Sequence, residues 1–134
     1  MLRPRFAVLS SLFIALTSAA CEPVREVDAA GEVLAPTGMD AQPVLLQFFD
    51  LPRSPGGSET EVRSLRLERP GQFTQRLSVS GDKIRVYALA DGDGDGACSP
   101  GEAWTSVEAR ILDNDTLEPL TLTLRAHDCP DASP

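Results

Sequence analysis

The sequence contains little of what most enzymes use for catalysis. Its 134 residues include one histidine, His127, and three cysteines, one tryptophan and one tyrosine. No glycine-rich phosphate-binding motif is present, and 12 basic residues face 20 acidic ones, for a net charge of −8. Because phosphate recognition needs a basic surface, this charge argues against a nucleic-acid partner. A nucleophile–histidine site would have to be built around His127, near the chain end. We therefore expect no enzymatic activity, and a hydrolase is a remote alternative.

Length and composition fit one small globular domain. Hydrophobic residues make up 42% of the chain and charged residues 24%, which is ordinary for a folded protein. A chain of this size has no room for two well-packed cores. At this size a disulfide or a bound metal contributes a large share of the stability.

The first twenty residues have the layout of a secretory signal peptide. Arg3 and Arg5 precede an apolar run over residues 6–16, and small residues follow at 17–20. The apolar run is too short to span a bilayer, which needs about 20 residues. We predict that residues 1–20 are a signal peptide. Their removal takes away two arginines and no acidic residue, and it changes the net charge from −8 to −10.

Cys21 directly follows Ser18-Ala19-Ala20, and the segment thereby resembles the signal of a bacterial lipoprotein. The resemblance implies that Cys21 is lipidated and that the mature protein is anchored to a membrane through this N-terminal lipid. Ser18 stands where that family usually has leucine, and ordinary cleavage after Ala20 is the alternative. In some bacteria an aspartate after the lipidated cysteine retains the protein at the inner membrane. This chain has Glu22 there, so the resemblance favours an extracytoplasmic position at the outer membrane and leaves the inner membrane open.

The other two cysteines form an even pair once Cys21 carries lipid. In an oxidising compartment, Cys98 and Cys129 are then expected to form a disulfide. The bridge would close a loop of about 32 residues, which the chain-entropy model values at roughly 3–4 kcal/mol. Two free thiols are the alternative.

Hydrophobic periodicity after residue 42 is that of β-strands. Residues 21–42 lack periodicity and are interpreted as the lipidated cysteine and a flexible linker, with the folded domain over residues 43–134. Strand patterns occur at residues 44–49, 61–67, 73–79, 83–90, 103–112 and 120–126. A phase shift within 61–67 predicts a bulge, and residues 80–82 are interpreted as a hairpin loop. These patterns predict an all-β fold, a small antiparallel β-sandwich of six to seven short strands.

Residues 91–102 read DGDGDGACSPGE and match the pattern D-x-[DN]-x-[DN]-G-x₅-E. Over these twelve residues the chain resembles an EF-hand calcium loop, in which alternate carboxylates converge on one Ca²⁺ and Gly96 permits the sharp turn. The resemblance implies ligands at alternate positions of the loop. They are Asp91, Asp93, Asp95, the carbonyl of Ala97, a water held by Ser99, and a bidentate Glu102.

The surroundings of this loop depart from the EF-hand family. Strand patterns replace the flanking helices, Cys98 stands at the normally apolar position 8, Pro100 stiffens the end of the loop, and no second loop exists. These departures bear on Glu102 more than on the three aspartates. A calcium loop between two strands of an extracellular domain is the better analogy, with a structural ion bound at roughly 10⁻⁴–10⁻³ M. The alternative is a solvated polar loop, although repulsion among its carboxylates opposes that.

Two further features come from the strands beside the loop. Tyr87 and Trp104 fall on the polar faces of neighbouring strand patterns, so they form a possible ligand face, unless a bulge or the second sheet buries Trp104. The disulfide would bring His127 and Asp128 toward the metal loop, as ligands or as a surface tail. We predict a non-enzymatic structural or interaction module of the cell envelope, stabilised by calcium. The alternative is a ligand-binding module that contacts an envelope protein or a glycan through the aromatic face or the calcium.

Overall fold

The computed structural model describes residues 23–130, which contain eight β-strands and no helix. The strands are β1 (Arg25–Leu34), β2 (Val44–Asp50), β3 (Thr60–Leu67), β4 (Gln72–Val79), β5 (Lys83–Ala90), β6 (Ala103–Arg110), β7 (Leu120–Thr123) and β8 (Arg125–Ala126). The predicted all-β fold is confirmed. The predictions for the signal peptide and for Cys21 fall on residues outside the described range.

The strands form two sheets that pack face to face as a sandwich. One sheet has the order β4-β1-β7 and the other has the order β3-β2-β5-β6-β8. Phe48 of β2 meets Phe73 of β4 edge to face across the core, with ring centroids 6.1 Å apart. Among the eight strands, only β1 and β7 pair in parallel, and the isolated bridge between Asp28 and Thr116 is parallel as well. The pairing of β1 with β7 departs from the antiparallel sandwich predicted from the sequence.

β1 lies within the segment that the sequence suggested was a flexible linker, so that interpretation of residues 21–42 is wrong from Arg25 to Leu34. Its inward positions hold Val27, Ala29, Gly31 and Val33, which alternate with acidic and other outward residues. Small side chains give a weak period-two signal, which explains why the pattern was missed. Gly31 is required by the close approach of β7, because a Cβ there would lie 2.5 Å from the backbone oxygen of Leu120.

The number of strands exceeds the prediction because β1 is added and the last predicted strand is divided. Residues 120–126 were expected to form one strand, but the chain leaves the small sheet after β7 and joins the large sheet as β8. At the crossing, the N–H of Leu124 donates to the backbone oxygen of Leu34 at 2.9 Å. The predicted bulge in β3 is confirmed, since Phe48 pairs with Arg63 and Phe49 pairs with Glu61, which leaves Val62 as the extra residue.

Residues 80–82 do not form the predicted hairpin loop, because β4 and β5 belong to different sheets. The chain crosses between the sheets here, and the side chain of Asp50, which is 9% exposed, holds the crossing segment by hydrogen bonds. Its carboxylate accepts hydrogen bonds from the N–H of Ser80 (2.8 Å), the hydroxyl of Ser80 (2.9 Å) and the N–H of Gly81 (3.0 Å). The sequence pattern around residue 80 could not reveal this contact, because Asp50 is thirty residues away.

We expect Val27→Ala to lower the free energy of unfolding by about 2 kcal/mol, because it leaves a cavity between the two sheets. For a domain of this size, that loss lowers the melting temperature by several degrees. Thermal unfolding followed by circular dichroism measures the change. Ala30→Ser, on the outward face of the same strand, is the matched control and should melt like the wild type. Equal melting of all three proteins would mean that β1 is not part of the core.

Candidate metal centre

The twelve-residue acidic loop joins the end of β5 to the start of β6, and these two strands pair with each other. Asp91 follows the last residue of β5 and Glu102 precedes the first residue of β6, so the hairpin brings both ends of the loop together. Asp91, Asp93, Asp95 and Glu102 each place a carboxylate oxygen within 4.8 Å of the others. The loop therefore assembles four carboxylates that can hold a metal ion.

Hydrogen bonds within the loop hold the aspartates in this arrangement. The N–H of Asp95 donates to Asp93 Oδ1 at 3.2 Å, and the N–H of Ala97 donates to Asp95 Oδ1 at 2.9 Å. Each is a local turn in which an aspartate accepts from the backbone two residues later. Gly96 has a φ of +75°, a conformation that favours glycine, and its N–H donates to Asp91 Oδ2 at 3.0 Å.

Asp91 is the buried member of the cluster, with 0% of its surface exposed. Its Oδ2 accepts from the N–H of Gly96 and from Arg66 Nη2, the latter at 3.1 Å. Its Oδ1 is buried and has no hydrogen-bond partner among the described residues. A buried carboxylate oxygen without a partner is costly, and a cation bound beside it would remove that cost. The residues present therefore fit a metal ion.

The negative charges of the cluster act on one another. The pKa of Glu102 is raised, first by burial and then by the charges of Asp93, Asp91 and Asp95, while the hydrogen bond from the N–H of Ser99 lowers it. Arg66 reaches this cluster from β3 and forms an ion pair with Asp91. A bound cation would offset the repulsion that remains.

The two other predicted ligand positions lie in the same loop. Ala97 is exposed, and its N–H is used by Asp95. Ser99 is half-buried, and its hydroxyl donates to Asp93 Oδ2 at 3.4 Å while its N–H donates to Glu102 Oε2 at 2.9 Å. Ser99 thus links the third and twelfth positions of the loop. Ligation by Ala97 and Ser99 stays a prediction.

The disulfide predicted between Cys98 and Cys129 is present, with Cα atoms 5.7 Å apart. It joins the acidic loop to the C-terminal segment that follows β8. His127 and Asp128 are both exposed and neither belongs to the carboxylate cluster. His127 Nδ1 lies 2.8 Å from the backbone oxygen of Arg125. These two residues form a surface segment rather than part of the carboxylate cluster.

Tyr87 and Trp104 lie together on the outer face of the five-stranded sheet, with ring centroids 5.8 Å apart. The register of β5 with β6 has no shift, so no bulge turns Trp104 inward. The C-terminal segment covers Trp104 in part, because His127 stacks against it at 4.2 Å and the indole Nε1 donates to the backbone oxygen of Asp128. Both rings are half-buried. The ligand face predicted from the sequence therefore carries a covering segment.

Sequence reasoning missed Arg66, which is the basic partner of the carboxylate cluster. Arg66 lies 25 residues before Asp91 in an edge strand, and it reaches the loop only because β2 places β3 and β5 in one sheet. No spacing in the sequence predicts that order. The outward position of Arg66 in the alternation of β3 is the one signal that was available.

We expect Glu102→Gln to lower the pKa of Tyr87, which can be followed by its absorbance because it is the only tyrosine. The pKa of Tyr87 is raised by burial first and then by the negative charges of Glu102 and Asp91, which disfavour the phenolate. Loss of one charge should lower the titration midpoint but leave it above that of free tyrosine, because burial persists. Glu108→Gln is the control and should leave the midpoint unchanged. An unchanged midpoint in Glu102→Gln would show that solvent screens this interaction.

Among residues 23–130, no helix has the length and apolar character needed to cross a membrane.

Comparison of the chain with protein-family models, with curated proteins and with solved structures finds no match in any of the three. The chemistry of the acidic loop is therefore inferred from its own residues and their geometry.

Proposed function

We propose that this protein is a lipid-anchored domain of the cell envelope that binds Ca²⁺ in its acidic loop and acts by binding rather than by catalysis. The observation that carries the proposal is the buried, unpartnered Oδ1 of Asp91 within a cluster of four carboxylates. In a loop that served only as a turn, a buried and unpaired carboxylate oxygen would cost stability without any compensating interaction. A bound cation gives the four side chains a common partner.

Calcium suits this donor set better than the other common metals. The four side chains offer oxygen only, which hard cations prefer, whereas zinc is held by sulfur, nitrogen and few oxygens. Ca²⁺ takes six to eight oxygens in flexible geometry, and the carbonyl of Ala97 and a water held by Ser99 would complete the set. Mg²⁺ demands a stricter octahedron and keeps several waters. The ion would stabilise the loop and what is attached to it.

The proposed anchor is a lipid on Cys21, after removal of residues 1–20. The disulfide between Cys98 and Cys129 supports a position outside the cytoplasm, because such bonds persist in oxidising compartments. The lipoprotein-type signal of the sequence supplies the attachment, and Glu22 after the cysteine favours the outer membrane.

A ligand-binding role for the aromatic face is the second candidate. The contact between Tyr87 and Trp104 favours it, since a pair of adjacent rings is a common platform for protein or glycan ligands. The segment containing His127 would have to accommodate or admit that ligand. A hydrolase is the remote alternative, and we propose none because the one histidine is exposed and stacks on Trp104.

We expect Ca²⁺ to raise the melting temperature of the purified protein, compared with the protein in EDTA. At 100 times the dissociation constant the added stability is about 2.7 kcal/mol, which corresponds to a shift of roughly ten degrees for so small a domain. Asp93→Asn should abolish the shift. Asp40→Asn, an exposed acidic residue outside the cluster, is the control and should retain it. No shift up to roughly 10 mM Ca²⁺, ten times the weakest affinity of extracellular calcium modules, would refute the site.

We expect the full chain expressed in a bacterium to be found in the membrane fraction with a lipid on Cys21, detected by mass spectrometry of its N-terminal peptide. Cys21→Ala should lose both the lipid and the membrane association, because the proposed anchor is the lipid on Cys21. Its thermal stability in Ca²⁺ should match that of the wild type. A secreted wild-type protein with an unmodified Cys21 would show ordinary cleavage after Ala20 instead.

A further inference from the structure

The start of β1 and the acidic loop lie at opposite ends of the sandwich. Arg25, the first residue of β1, contacts the crossing between β4 and β5, where its Nη2 donates to the oxygen of Gly81 at 3.4 Å. It also forms ion pairs with Asp82 and Asp115. β5 begins at this end and runs its eight residues to Asp91. At about 3.3 Å per residue, the strand separates Arg25 from the acidic loop by roughly 25 Å.

The strand β1 also shortens the connection between the domain and the proposed anchor. Cys21 precedes Arg25 by four residues, which span at most about 14 Å when fully extended. This is about half the length of the sandwich, whereas a linker over residues 21–42 would have let the domain take any orientation. The end of the sandwich that contains Arg25 must therefore stay close to the lipid.

We propose that the anchored domain stands on this end, with the bilayer surface as its partner and the acidic loop displayed at the far tip. The proposal rests on the lipid at Cys21. We call the bilayer-facing surface the basal end, and it consists of residues 23–25, 51–55, 80–83 and 110–119. The tip consists of the acidic loop and the disulfide-linked segment after β8.

The charges of the two ends favour this orientation over one in which the sandwich lies flat. The basal end carries four basic residues, namely Arg25, Arg53, Lys83 and Arg110. Ion pairs with Asp82, Asp115 and Glu118 engage the three arginines, and Asp113 is a fourth acidic residue, so this end is neutral. The tip carries four clustered carboxylates with Arg66 on one of them. With Arg66 and the proposed Ca²⁺ counted, the four carboxylates leave this cluster with a net charge of −1, so an anionic lipid surface repels the tip weakly and tolerates the basal end.

Exposed apolar side chains add a second argument. Among the described residues three large apolar side chains are exposed, namely Val24 (67%), Leu34 (41%) and Leu112 (40%). Val24 and Leu112 belong to the basal end, where contact with the headgroup region would cover them, and Leu34 lies at the other end of β1. In this orientation the proposed calcium loop faces the aqueous compartment rather than the lipid. A partner that binds the calcium loop would then approach from the aqueous side.

Fluorescence quenching by lipid tests the orientation, because Trp104 is the only tryptophan and lies beside the tip. The lipidated full-length product is reconstituted into anionic vesicles whose acyl chains carry bromine near the headgroup, and into matched vesicles without bromine. Trp104 should lose no emission to bromine. The variant Leu112→Trp, which keeps Trp104, should show additional tryptophan emission in the vesicles without bromine. This additional emission should be lost in the brominated vesicles. Retention of Trp104 spares the fold of the tip.

Each other result would contradict the orientation. Quenching of Trp104 alone would place the tip on the membrane, and quenching at both positions would mean that the sandwich lies flat. Quenching of Trp104 that develops only with Ca²⁺ would show that the metal loop itself binds lipid. A product that lacks lipid and does not sediment with vesicles would refute the lipid anchor and this orientation together. If the protein is lipidated and bound to vesicles, the quenching result tests the orientation alone.

Discussion

The packing of β1 between β4 and β7 is the contact on which the rest of the structure depends. β4 and β7 do not pair with each other, so the three-stranded sheet exists only because β1 lies between them. Val27 and Val33 fill the inner face of β1, and Gly31 lets β7 approach in parallel register. Without this sheet, the inward faces of β2 and β5 would be exposed to water. The packing of the strands with large apolar residues therefore depends on β1, a strand whose inward residues are small.

Two buried carboxylates occupy opposite ends of the sandwich, and the difference between them separates structure from function. Asp50 uses both of its oxygens, with three hydrogen bonds from the crossing at residues 80 and 81. Its charge is satisfied by the protein, so it needs no ligand. Asp91 is more deeply buried, yet only one of its oxygens has partners within residues 23–130. The hydrogen bonding of the buried carboxylate is therefore complete at Asp50 and incomplete at Asp91, and Asp91 lies among three further carboxylates.

The sequence was informative wherever the signal was local. A compact apolar run located β2, alternation of apolar and polar residues located β4, β5 and β6, and the phase shift in residues 61–67 located the bulge at Val62. The spacing of the acidic loop identified the four carboxylates that the fold brings together. These features depend on neighbours in the chain, and so they can be read from the chain.

What the sequence did not reveal depends on the order of strands within the sheets. β1 has only small inward residues, and its parallel partner β7 lies more than eighty residues away. Arg66 and Asp50 act on residues 25 and 30 positions distant. The covering of Trp104 requires both the switch of the chain from β7 to β8 and the disulfide that holds the following segment. Each of these contacts follows from topology, which residue spacing does not encode.

The disulfide gives the acidic loop a role beyond its own stability. β8 pairs with β6 through only two residues, Ala126 with Ala103 and Arg125 with Trp104, which is too short a strand to hold the chain end by itself. The bond from Cys129 to Cys98 and the contacts of His127 and Asp128 with Trp104 supply the remaining attachment. Because Cys98 lies within the acidic loop, the position of the chain end depends on the conformation of that loop. A cation bound by the four carboxylates would therefore also stabilise the segment that covers Trp104, because the disulfide joins that segment to the acidic loop.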